Sequence, residues 1–241
     1  MILHGKRTVL MWEIYKVVST TVFSALVGLH MNQVSPSEQT LKKTAIYSGE
    51  ISKERNAVFL NQYKTQPPDK IIITSSGGEV AAAITLARWI YRYQIDVEID
   101  QYCLSSCANY LFPAANRKII QPGAIVAWHG NYHHLKKTGL WKSEINARME
   151  KYKTDYRTAK MTIESQVDEL VKMEHDFFND IKVNQFICWV GKMPPYNVAD
   201  FYFLSRQDMA HFGINKIVLN HDYATTDITA FPYDVIYLNL D

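Results

Sequence analysis

The segment from Ile71 to Tyr93 constrains the fold more than any other part of this chain. Ile71-Ile72-Ile73-Thr74 is a continuous apolar run, bounded upstream by Pro67-Pro68-Asp69 and downstream by Ser75-Ser76-Gly77-Gly78. A short apolar run between turn residues reads as a buried strand. Directly after it Val80, Ile84, Leu86, Ile90 and Tyr91 recur at helical spacing, so the chain passes from strand to helix through two glycines. The unit repeats along the chain. Residues 45–51 suit a strand and turn, 52–64 a helix, 97–102 a strand, 106–112 a short helix, and 118–120 and 124–128 two further strands. Alternation of this kind predicts an α/β fold with a mostly parallel sheet and right-handed crossovers.

Residues 142–190 contain neither glycine nor proline, and Ile145, Met149, Tyr152, Tyr156, Ile163, Val167, Leu170, Phe177 and Ile181 keep mostly three-and-four spacing. This predicts one very long projecting helix or two in series, opening at Ser143 as N-cap. Its first part is basic, with eight Lys or Arg against three acids over residues 136–160. A solvated face or contact with another subunit explains this better than nucleic acid, because the whole chain carries a net charge of only +2. Beyond Pro194-Pro195 a short helix is expected at 205–212 and a strand at 217–219, followed by a Tyr-rich tail.

With 241 residues and 47% hydrophobic composition the chain can bury a core without disulfide staples. The expected organisation is a signal or anchor segment with its linker over 1–44 and one α/β domain over 45–241 that carries the helical insertion. Residues 17–29 have no charge and follow Lys16, Arg7 and Lys6. Thirteen residues are short for a span but suit the apolar core of a secretory signal, so export to the periplasm or a membrane tether is expected. In that compartment Cys103 and Cys107 could close a small loop, leaving Cys188 over. On a helix face the same spacing equally suits two reduced core residues.

Three junctions could carry chemistry. Gly77 and Gly78, at a strand end that opens a helix, can present backbone N–H groups to an anion or oxyanion. Ser105 and Ser106 follow the next strand, where open α/β sheets place ligands, although capping is the commoner use of such serines. Trp128-His129-Gly130 ends a further strand and supplies a base. His129, His133 and His134 lack the carboxylate that would complete a zinc site, so no metal or cofactor is expected.

The order of these elements resembles the Clp-type serine peptidases of the Clp protease/crotonase superfamily. Ile73-Thr74-Ser75-Ser76-Gly77-Gly78-Glu79-Val80 looks like that family's I-N-S-P-G-G-x-V element, with Ser76 where proline is usual. Ser106-Cys107-Ala108 with Pro113-Ala114-Ala115-Asn116-Arg117-Lys118 looks like S-M-G…A-G-A-x-x-R, and residues 124–129 look like the strand ending in the catalytic histidine. Phe203-Leu204-Ser205 through His211-Phe212-Gly213-Ile214-Asn215 is similar to F-[ML]-S-A-x-E-A-x-x-Y-G-L-[IV]-D. The exported branch with cysteines flanking its serine is nearest, given Cys103-Leu104-Ser105-Ser106-Cys107.

The resemblance implies a serine hydrolase acting on peptides or proteins without ATP and self-associating through the long helix. Spacing from Gly77 and to Ala115 points to Ser106 as nucleophile, whereas the branch's C-x-S-x-C pattern points to Ser105; Ser106 is the expectation adopted. His129 is the expected base, with the N–H groups of Gly77 and Cys107 as oxyanion hole. The third member falls at Phe201, which leaves neighbouring Asp200 as the orienting acid or the site as a dyad. Phe201 and Ser76 also suit a second reading, a catalytically weak peptide-binding or assembly module.

Overall fold

The computed structural model describes residues 43–229, 231 and 233–240; the apolar stretch 17–29 and nearly all of the 1–44 segment lie outside them. The first strand, β1 (Thr44–Ser48), pairs in parallel with β2 (Lys70–Ser75), and helix α1 (Lys53–Gln62) connects them. Ile71, Ile73 and Ser75 of β2 are buried, while Lys70, Ile72 and Thr74 on its other face are half-buried. Helix α2 (Val80–Arg92) turns Ala82, Ala83, Ile84, Leu86, Ala87 and Ile90 into the core. Three alanines on that face let the helix lie close to its neighbours.

Strand β3 (Asp96–Leu104) is long enough to serve two partners along one edge. Val97–Ile99 pairs with β4 (Lys118–Ile120), and Tyr102–Leu104 pairs with β5 (Ile125–Ala127), both in parallel. Its other edge pairs with β2, with a register shift: Ile73 faces Ile99 but Ser75 faces Cys103. Two residues of β2 thus span four of β3, a bulge that re-aims the end of β3. After it come a π-helical turn (Cys107–Leu111) and the short α3 (Phe112–Ala114).

The helical insertion takes the second of the two expected forms, helices in series, with differences at its ends. An additional helix, α4 (Tyr132–Thr138), precedes it, and Ser143 sits inside a helical stretch and caps nothing, its hydroxyl donating to the Leu140 carbonyl. The rest divides into α5 (Glu144–Tyr152) and α6 (Tyr156–Ile181). The break comes at Lys153, in the left-handed conformation with φ 51°, and Asp155 then caps α6 by accepting from the Thr158 N–H. Without Gly or Pro the break left no mark in the periodicity. The expected stretch to residue 190 also ends early, because Lys182 adopts φ 60° and 3₁₀ turns follow.

Helix α6 is amphipathic along its whole length but joins two cores. Phe177 and Phe178 belong to the main core, whereas Ala159, Ile163 and Val167 form a second cluster with Trp141 and Ile145. Its 26 residues span about 39 Å, enough to reach both. The chain closes with β6 (Phe201–Leu204), α7 (Arg206–His211), β7 (Ile217–Val218) and β8 (Val235–Leu238). The main sheet runs β1-β2-β3-β4-β7, and β6 pairs with β8 in a separate parallel pair. Reciprocal bonds between Trp128 and Tyr202 tie that pair to the end of β5. The molecule is therefore α/β with a mostly parallel sheet. No helix among the described residues is long and apolar enough to cross a membrane.

Candidate active site

Three adjacent parallel strands, β2, β3 and β5, end at one edge of the sheet, the usual place for a ligand in an open α/β fold. Leu104 pairs with Ala127, so the residues just after each face one another, and the Ser105 N–H donates to the Ala127 carbonyl at 3.1 Å. Ser105 then turns sharply, with φ 53°. A side chain in this left-handed region is strained, and the conformation recurs where a nucleophile must stand out from a strand-to-helix turn. The Asn109 N–H bonds the Ser105 carbonyl, starting the helix that follows, and a disulfide joins Cys103 to Cys107 across the turn. Cys188 is free and buried.

The turn sends the two serines to different partners. Ser105 Oγ lies 2.7 Å from His129 Nε2. Ser106, the nucleophile expected from spacing, is instead buried, and its hydroxyl donates to the Gly78 carbonyl at 2.8 Å. The positive φ at Ser105 throws that side chain toward β5, and the next residue consequently faces back toward β2. Ser105 remains half-buried and accessible.

The glycine pair is required by close approach. A Cβ on Gly77 would stand 2.7 Å from Ser105 Cβ and 2.8 Å from the Ser106 nitrogen, and one on Gly78 would stand 2.1 Å from the Ile51 carbonyl oxygen. The Gly77 N–H is engaged by the buried Ser75 hydroxyl at 3.2 Å. Ile51 bonds the Gly77 carbonyl and the Glu79 N–H, so neither of these faces the site freely. Among the described residues no partner takes the N–H of Gly78, Ser106 or Cys107. Gly78 and Ser106 line the cavity beside Ser105, whereas Cys107 does not.

Burial and the Lys192 ammonium hold the His129 imidazole below its usual pKa, with Asp200 opposing, so the ring is neutral and basic near pH 7. With its proton on Nδ1, Nε2 can accept from Ser105. Asp200 acts on His129 through its charge only; no hydrogen bond joins them. The expected acid position is held by Phe201, whose ring centroid lies 4.6 Å from that of His129. Lys192 is fixed by donating to the carbonyls of Ala199 and Asp200 at 2.9 and 2.6 Å.

A cavity of about 240 Å³ opens beside the pair, walled by α4 and by the turn after Ser105. Glu174 of α6 anchors that wall: its carboxylate accepts from the N–H groups of Tyr132 and His133 at the start of α4 and from the Tyr110 hydroxyl. Burial pushes the Glu174 carboxyl up to about 7 against these hydrogen bonds. His133 stacks on Trp189, and His134 is buried against Gly130, so the three histidines do not converge. Among the described residues no group of three or more His, Cys, Asp or Glu side chains is placed to hold a metal ion. Sequence reasoning missed Glu174, Lys192, Asn109 and Asn131, because their proximity to the site comes from tertiary packing and no local motif marks it. No protein-family model and no curated protein matches this chain.

Proposed function

We propose that this protein is a serine hydrolase, an ATP-independent peptidase in which Ser105 and His129 act as a dyad on a Clp/crotonase-like scaffold. The observation that carries the reading is the 2.7 Å contact between Ser105 Oγ and His129 Nε2 at a strained strand-to-helix turn. Ser105 Oγ attacks the peptide carbonyl carbon while its proton passes to His129 Nε2. The C–N bond then breaks, with His129 returning the proton to the departing amine, and water repeats the sequence on the acyl-enzyme. The N–H groups of Gly78 and Ser106 are the oxyanion donors, in place of Gly77, whose N–H is engaged, and Cys107, which lies outside the cavity. Asp200 serves as a nearby charge and not as a hydrogen-bonded third member.

A second reading, a catalytically weak peptide-binding module, is favoured by one observation: Phe201 packs on His129 where an orienting acid would stand. A fluorophosphonate probe separates the two. Ser105 Oγ displaces fluoride from phosphorus, and peptide mapping should place the adduct on Ser105, with labelling lost in Ser105→Ala and His129→Ala. A folded wild-type protein that takes no label refutes the hydrolase reading.

Export and self-association belong to the same proposal. The helical arm leaves Tyr152, Tyr156 and Met161 more than half exposed, a surface for a second copy. Light scattering of the full chain at micromolar concentration should give a species larger than a monomer, and a monomer would remove that element.

A further inference from the structure

Backbone pairing holds an aromatic ring against His129. Trp128 and Tyr202 form an isolated antiparallel bridge with reciprocal N–H to carbonyl bonds of 2.8 and 2.9 Å, and both side chains are fully buried. In such a pair the residues one step out, His129 after Trp128 and Phe201 before Tyr202, project to the same face as close neighbours. Their ring centroids lie 4.6 Å apart with the planes tilted by 47°. Phe201 is itself fixed: it is buried, its N–H donates to the Asp234 carbonyl at 3.0 Å, and the Tyr233 ring packs on its ring at 5.3 Å. Just upstream, the Lys192 ammonium donates to the carbonyls of Val198, Ala199 and Asp200 and so holds the segment that leads into β6.

A histidine that serves as base needs its ring held so that one nitrogen meets the nucleophile, and a hydrogen-bonded carboxylate is the usual means. Among the described residues the one side-chain hydrogen bond of His129 goes to Ser105. The charged and titratable groups that act on it from neighbouring elements are Lys192, Asp200 and His134: the two cations lower its pKa and Asp200 raises it. Charge acting without a hydrogen bond sets no preferred rotation of the ring. Packing does. The last torsion of an imidazole is intrinsically broad, and a ring in contact at 4.6 Å restricts it. The cross-strand pair therefore supplies an orientation that the electrostatics of the site do not.

We infer that Phe201 is a positioning residue that does by ring packing what a triad acid does by hydrogen bonding: it holds the His129 imidazole with Nε2 toward Ser105. The inference rests on the hydrolase reading, and its test separates the two. The probe is a fluorophosphonate on the full chain: the bond from Ser105 Oγ to phosphorus forms, the P–F bond breaks, the serine proton passes to His129 Nε2 and fluoride leaves. The limiting labelling rate, kinact, is measured separately from the probe's KI and across pH. Phe201→Leu keeps an apolar side chain in the core but has no ring. It should lower kinact roughly tenfold or more, as misplaced reacting groups do, with KI unchanged within about twofold. Phe201→Tyr keeps the ring and should recover most of that loss. The pH midpoint of kinact should stay in place in both variants, because Lys192, Asp200 and His134 are untouched. A wild-type kinact in folded Phe201→Leu overturns the inference and leaves the hydrolase standing. So does a loss that Phe201→Tyr shares in full, or one that higher pH restores, which would make the effect electrostatic. A folded wild-type protein that takes no label overturns both readings. Should Phe201→Leu fail to fold, Tyr233→Leu carries the test, since Tyr233 backs the Phe201 ring and is 42% exposed. Labelling roughly threefold slower is then expected, and an unchanged rate overturns the inference.

Discussion

Replacing Ser106 with alanine gives the sharpest test of which serine does what, because the two adjacent hydroxyls have opposite partners. Ser106 Oγ donates to the Gly78 carbonyl at 2.8 Å from a residue only 3% exposed. Alanine removes the donor and leaves that part-buried carbonyl without its partner. An orphaned buried acceptor costs about 1–3 kcal/mol. For a domain of this size each kcal/mol lowers Tm by about 2–4 °C, so Ser106→Ala should melt about 2–12 °C below wild type, about 4–8 °C for a cost of about 2 kcal/mol. Ser105→Ala should melt within about 2 °C of wild type: the residue is half-buried, both side chains carry the Cβ that makes φ 53° strained, and only the bond to His129 is lost. Fluorophosphonate labelling should run the other way, absent in Ser105→Ala and retained in Ser106→Ala. Calorimetry and gel labelling of the two variants side by side suffice. If Ser106→Ala loses labelling at wild-type stability while Ser105→Ala keeps it, the reasoning from hydroxyl geometry is refuted.

Other consequences concern protons and the walls of the site. Because burial and Lys192 hold His129 below its usual pKa, the acid limb of kcat/KM should fall below about 6.5. Asp200→Asn should move that limb lower still while costing less than about tenfold at pH 8. A loss near 10⁴-fold, typical of a hydrogen-bonded triad acid, would place Asp200 on Nδ1 after all. Glu174 is raised from 4.5 to about 7, so its folded pKa exceeds its unfolded one. Its contribution is full below about 4.5 and is lost as pH rises through about 7, a loss of about 3 kcal/mol at 1.36 per unit. Urea titrations from pH 5 to 8.5 should show this fall in wild type and a flatter profile in Glu174→Gln; equal slopes would contradict it. The Cys103–Cys107 bridge closes a loop of sequence separation 4, and loop-closure entropy for so short a loop is about 2 kcal/mol. The double variant Cys103→Ala/Cys107→Ala should lose that much by urea unfolding, and unchanged stability would show that the turn holds without the bridge.

Local signals carried most of the architecture. The apolar run at residues 71–74, the glycine pair after it and the helical spacing from Val80 lie where the sheet and α2 form, because burial of alternating or three-and-four positions is a property of the segment itself. The helical insertion was legible as helix but not in its breaks: Lys153 and Lys182 take left-handed conformations that no glycine announces. Strand β6 was missed, since Phe201–Leu204 is a buried four-residue run whose pairing with β8 is distant in sequence.

For the site, sequence alone determined the cast of junctions: Gly77-Gly78, Ser105-Ser106 and His129, each just past a strand. Their assembly at one sheet edge follows once the strands are parallel and adjacent. Which serine meets the histidine was decided only by tertiary structure. The slip between β2 and β3 and the positive φ at Ser105 set the direction of two neighbouring side chains, and a one-residue change of direction has no periodic signature. The same holds for Asn109 and Asn131, which local capping orients but only the packing of α4 against the turn brings to one cavity.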